Sequence, residues 1–174
     1  RPTCQSTESL CLYRRSYLAA AAAGATVTHV DASKGMVTWA KENAVSSGLK
    51  DAPIRWLVDD CVKFVEREIR RGNTYDAIIM DPPSYGRGPK GEIWKIEDMI
   101  HPLIRLCAKI LSEDALFFLV NSYTTGLAPA VLTYMISTEL KSWNGHVDSQ
   151  EIGLPVTNSG LVLPCGASGR WESR

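Results

Sequence analysis

Arg1 to Tyr17 contain no glycine and no clear strand, so the usual start of a nucleotide-binding α/β fold is not visible there. The chain has no G-x-G-x-x-G before a first helix, which argues against a nicotinamide-dependent oxidoreductase. There is no C-x-x-C pair among the five cysteines, Cys4, Cys11, Cys61, Cys107 and Cys165, so neither a zinc site nor a redox motif is expected. The odd count fits reduced, structural thiols. His29, His101 and His146 lack ligand spacing, and no metal is expected. No apolar run reaches membrane-spanning length, and Ala19 to Ala23 is too short and too small. The amino end lacks a signal-peptide layout, and a cytoplasmic location is expected. Charge of one sign is also missing: 19 basic and 19 acidic residues cancel, which excludes a surface built to coat nucleic acid but not a local contact.

What is present alternates. The 174 residues suit one core, with 45% hydrophobic and 22% charged residues. Thr26 to Val30 is a β-branched strand ending at Asp31, and Ser33 to Ser46 follows at helical spacing, closed by Gly48. Ile54 to Val58 is a strand ending at Asp59-Asp60, and Cys61 to Arg71 a helix stopped by Gly72. Tyr75 to Met80 is an apolar strand that runs into Asp81-Pro82-Pro83-Ser84-Tyr85 and a flexible loop, Gly86 to Gly91. Asp98 to Leu111 is a helix with Pro102 near its start, Leu116 to Val120 a strand, and Ala128 to Leu140 a helix. Glu151 to Gly153 and Gly160 to Leu163 are two short late strands. This order predicts an α/β, Rossmann-like, doubly wound and mostly parallel sheet with a C-terminal antiparallel hairpin, lacking a normal first strand and glycine-rich loop.

Open sheets of this kind bind ligands at the carboxyl ends of their strands, where Asp31, Asp60, Asp81 and, just beyond, Asn121 fall. A carboxylate at Asp31 can accept from both hydroxyls of a ribose; a helix cap is the competing role. Of the next pair, Asp59 is expected to cap the helix and Asp60 to meet a ligand. Asp81-Pro82-Pro83-Ser84-Tyr85 is the most specific string. Its prolines stiffen the turn and donate nothing, so Asp81 and the Pro82 carbonyl present acceptors only. Acceptors suit an amine or ring nitrogen under methyl transfer, and Tyr85 can stack on a planar base. Arg87, Lys90 and Lys95 are candidate phosphate contacts or solvated loop residues. Trp94 is expected to be a packing anchor, Cys107 a core residue, and Cys165 a residue of a late loop.

From Ala19 onward the chain resembles class I S-adenosylmethionine-dependent methyltransferases, and within them the bacterial group related to 23S rRNA large-subunit methyltransferases. The residues that carry this are Val30-Asp31-Ala32-Ser33, Asp59-Asp60-Cys61 with Lys63-Phe64-Val65, Asp81 through Gly88, and the closing Gly169-Arg170-Trp171-Glu172. The resemblance implies S-adenosylmethionine as cofactor, with Asp31 and its neighbours Ala32 and Ser33 at the ribose and Asp59, Asp60 and Cys61 near adenine. It implies Asp81, Pro82, Pro83 and Tyr85 at the methyl acceptor, Asp81 also beside the cofactor, and Arg87, Lys90 and Asn121 toward the substrate. RNA, rRNA in particular, is the implied partner. A cysteine follows the fourth strand in the branch that methylates cytosine carbon; Val120-Asn121-Ser122-Tyr123 has none, so a nitrogen acceptor is favoured. A non-catalytic fragment, or an enzyme acting on a small molecule or protein, are the rival readings.

The start departs from the family. Arg14-Arg15 stands where two glycines are expected. Codons can be chosen for Glu8 to Tyr17 that, read one base later, encode K-A-F-A-Y-T-G-G-A-T, which resembles the missing motif. Residues 1–17 are therefore expected to be an atypical, disordered or frameshifted start, residues 18–174 the methyltransferase core, and cofactor binding by this chain weak.

Overall fold

The computed structural model describes residues 8–12, 16–88, 91–124 and 126–174. They form two compact units: the described residues up to Met80 with Lys109–Leu116, and Asp81–Ala108 with Phe117–Arg174.

The first unit contains β1 (Glu8–Leu12), α1 (Ser16–Ala22), β2 (Thr26–Asp31), α2 (Lys34–Ser46), β3 (Ile54–Val58), α3 (Cys61–Arg71) and β4 (Ala77–Met80). The strands pair in parallel in the order β3-β2-β1-β4. This corrects the expectation that no strand precedes residue 18. β1 lies between β2 and β4, with Leu10 and Cys11 fully buried. Burial on both faces hides such a strand, because it removes the polar–apolar alternation that marks a half-exposed one.

The helices of this unit begin and end on local chemistry. Ser33 caps α2 by accepting from Met36 N at 3.3 Å. In α3 the buried residues Cys61, Phe64, Val65 and Glu68 recur at helical spacing, and Gly72 ends the helix at φ 71°. Each fully buried side chain such as Phe64 contributes about 2 kcal/mol. Glu68, fully buried, accepts hydrogen bonds from Arg71, Asn73 and Tyr75 at 2.8 to 2.9 Å. Burial alone would raise its pKa, but these donors outweigh burial and lower it. Tyr75 is pushed up, first by burial and then by the Glu68 carboxylate. Tyr17, His29 and Trp56 form an aromatic cluster with centroids 4.8 to 5.4 Å apart. Burial lowers His29 to a pKa of about 4.

The second unit contains β5 (Tyr85–Arg87), β6 (Ile93–Lys95), α4 (Ile96–Ala108), β7 (Phe117–Ser122), α5 (Pro129–Glu139), β8 (Gly145–Pro155) and β9 (Val162–Ser173). β7, β9 and β8 pair antiparallel in that order, and β5 and β6 form a separate hairpin. That hairpin replaces part of the expected flexible loop; Lys90 lies outside the described residues. α4 starts two residues before the expected Asp98, so Pro102 sits inside the helix rather than near its start. The late strands are 11 and 12 residues long instead of three or four, and Cys165 lies in β9, not in a loop. Leu132 and Ile136 of α5 are fully buried. A side chain at Gly169 would come within 2.8 Å of Ile136 and 2.9 Å of Leu132, so the helix packs onto bare backbone.

Candidate active site

In the first unit the strand ends are level. Val30 is in register with Leu57 and Leu12, and Leu12 with Met80. Parallel pairing therefore puts the residues that follow β2 and β3 on one edge. Asp31, 4% exposed, accepts from Ser33 N at 2.7 Å, which folds Ala32 and Ser33 into a tight turn before α2. The cap of α2 is Ser33, not Asp31. Asp59 N donates to the Asp31 carbonyl at 3.0 Å.

The cap expected of Asp59 falls to its neighbour. Asp60 is the cap of α3, accepting from Lys63 N at 2.9 Å. The Asp59 carboxylate is ion-paired with Arg67 and accepts from Asp60 N. Cys61 is buried, its thiol 3.9 Å from the Val30 carbonyl. This edge offers acceptors, and acceptors fit a nucleoside diol and an exocyclic amine.

In the second unit the string that follows β4 is a braced turn. Asp81 is half-buried and Pro82 buried, while Pro83, Ser84 and Tyr85 are exposed. The Pro83 carbonyl accepts from Trp94 Nε1 at 2.7 Å, so Trp94 anchors the turn by hydrogen bonding. Ser84 Oγ lies 2.6 Å from Thr124 Oγ1. The Tyr85 hydroxyl accepts from Arg87 Nε at 2.9 Å, which joins two exposed residues of one hairpin strand. Asn121 is half-buried in β7 opposite Ser168.

Thr124 also lines a cavity of about 300 Å³ with Leu127, Ala128, Pro129, Glu151 and Gly166. Tyr123, next to it, has its pKa raised by burial and then by the negative charges of Asp81 and Cys165. Asp81, Tyr123, Thr124 and Cys165 thus share one environment in this unit. In the sequence, the polar string Asn121-Ser122-Tyr123 after a strand points to this side, and Thr124 carries no signal. The Ser84–Thr124 contact spans 40 residues and left no local signal.

Strand order, acidic strand ends and braced turn together define the Rossmann-like fold of class I S-adenosylmethionine-dependent methyltransferases, and the chain is similar to them in sequence as well. One is the SAM-dependent methyltransferase from Agrobacterium tumefaciens, whose crystal structure matches 99% of this chain at a TM-score of 0.91 and 38% identity, over 57% of that chain. Among curated proteins, the ribosomal RNA large subunit methyltransferase K/L of Pseudoalteromonas atlantica is 36% identical over 87 residues, 49% of this chain and 12% of its own length. The ribosomal RNA large subunit methyltransferase K of Neisseria meningitidis is 27% identical over 113 residues, 63% of this chain and 32% of its own. The chain thus spans a third or less of these two curated relatives. No protein-family model matches it. Among the described residues no helix is long and apolar enough to cross a membrane.

Proposed function

We propose that this chain is the catalytic core of an S-adenosylmethionine-dependent methyltransferase acting on a nucleobase nitrogen in RNA. The observation that carries it is the Asp81-Pro82-Pro83-Ser84 turn, braced by Trp94 and joined through Thr124 to a cavity able to admit a base. Asp31 would hold the cofactor's ribose, and Asp59 and Asp60 its adenine, although Asp60 spends one oxygen on its helix. When bound, the cofactor supplies a methyl group on a sulfonium, ready for in-line displacement.

The chain's own part is alignment. Asp81 and the Pro82 carbonyl accept from the acceptor nitrogen and so turn its lone pair toward the methyl group. Asp81 would take the proton that the nitrogen sheds. Tyr85, Asn121, Arg87 and Lys90 are proposed contacts to the rest of the RNA, and the similarity to rRNA methyltransferases favours that substrate.

Three measurements test this. Labelled methyl transfer is compared for rRNA, bulk protein and small acceptors; preference for protein or small molecules overturns the substrate. Asp81→Asn should slow transfer by about 100-fold without changing the melting temperature. Calorimetric titration should show weak S-adenosylmethionine binding that Arg14→Gly/Arg15→Gly strengthens by tenfold or more. Micromolar affinity of the unaltered chain would contradict the view that its start impairs the site.

A further inference from the structure

We propose that the outer end of the β8–β9 hairpin is a self-association arm through which two copies of this chain pair. β7 reaches only as far as Ala167 of β9, so Val162, Leu163 and Pro164 pair with β8 alone and the hairpin continues as a two-stranded ribbon. From Ile152 to Gly169 there is no charged residue. The ribbon carries Leu154, Leu161, Val162 and Leu163 at 57 to 69% exposure, with Val156 at 39%. Leu154 and Leu163 lie directly across from each other, and so form an apolar pair on one face. β8 is also an edge strand of its sheet, with one row of backbone groups that no neighbouring strand among the described residues pairs.

The chemistry of the arm selects its occupant. With no cation it has nothing for phosphate, so nucleic acid is a poor partner. It lacks the lysine, arginine and tryptophan that hold a peptide at a lipid surface. A second arm is neutral and apolar in the same way, and a two-fold axis would set leucine on leucine without burying a charge. The five side chains expose roughly 500 Å² per copy over the two faces of the ribbon, so a pairing in which the arms clasp both faces buries roughly 1,000 Å², the lower bound for a specific interface. The inference is independent of the methyl-transfer reading.

Sedimentation velocity of the full chain, over a roughly 100-fold concentration range around the micromolar, tests it. Twice the single-chain mass should appear as concentration rises, together with a melting temperature that rises with concentration. Leu161→Asp/Leu163→Asp should remain single-chain at every concentration, with an unchanged circular dichroism spectrum. Val156→Lys is the second variant and should weaken pairing. A chain that is single throughout overturns the proposal, as does pairing that survives both variants or dissolves in high salt. Binding of the single chain to neutral phosphatidylcholine vesicles overturns it in favour of a lipid surface.

Discussion

The two units differ in how closely the backbone within each approaches its neighbours. In the parallel unit, carboxylates are tied to the fold: Glu68 to three donors, Asp60 to a helix end, Asp31 to a turn. In the antiparallel unit Glu139 is tied in the same way to His101 and Arg105, and close approach of backbone adds a second constraint. Gly166 lies against the Ser122 carbonyl and Gly169 under α5, while the acidic Asp81 rests in a turn held by its neighbours. Polar satisfaction should therefore govern stability in the first unit, and side-chain volume as well in the second.

Glu68→Ala should show the largest loss. Removing the acceptor leaves the buried Tyr75 hydroxyl without its partner and a gap where the buried side chain stood, while the exposed Arg71 and Asn73 turn to water; denaturant unfolding should register about 3 kcal/mol. The next effect is on acid stability. His29 titrates at about 4 when folded against 6.5 in the free side chain, so the unfolded chain binds the extra proton first. Its neutral form favours folding above pH 6.5, and that advantage is lost as pH falls from 6.5 to 4, by on the order of 3 kcal/mol. A pH series of melts on wild type and His29→Phe checks this: the variant should lose the slope in that window.

Gly166→Ala measures the second unit's dependence on bare backbone. Its new methyl group would overlap the Ser122 carbonyl, and a loss of about 2 kcal/mol is expected, with hydrogen exchange rising in β7 and β9. A substitution without cost would remove volume as the distinguishing principle. Asp60→Ala is the smallest test, at about 1 kcal/mol for a lost helix cap, while Asp60→Asn should restore most of it.

The same contrast governs how much could be read in advance. β3 and α3 match their expected bounds residue for residue, since strand apolarity, the capping carboxylate and Gly72 all lie within a few positions of each other. β8 and β9 were legible only as fragments. Their inward residues include Gly145, Ser149, Ala167 and Gly169, because α5 brings the apolar bulk to the contact, so the alternation is hidden by small size. The strand-end aspartates of the candidate site follow from periodicity. The partnership of Ser84 with Thr124 and the nearness of Tyr123 to Asp81 arise only once distant segments fold together.

β1 has one more consequence. Among the described strands of its unit, β1 alone has both its neighbours later in the chain: β2 arrives 14 residues after Leu12, and β4 only at Ala77. Excising Glu8–Leu12 would leave β2 and β4 separated by a slot about 10 Å wide, twice the spacing of paired strands. A peptide of that sequence supplied separately should refill the gap, and recovery of the parallel unit from the two pieces by circular dichroism would check it.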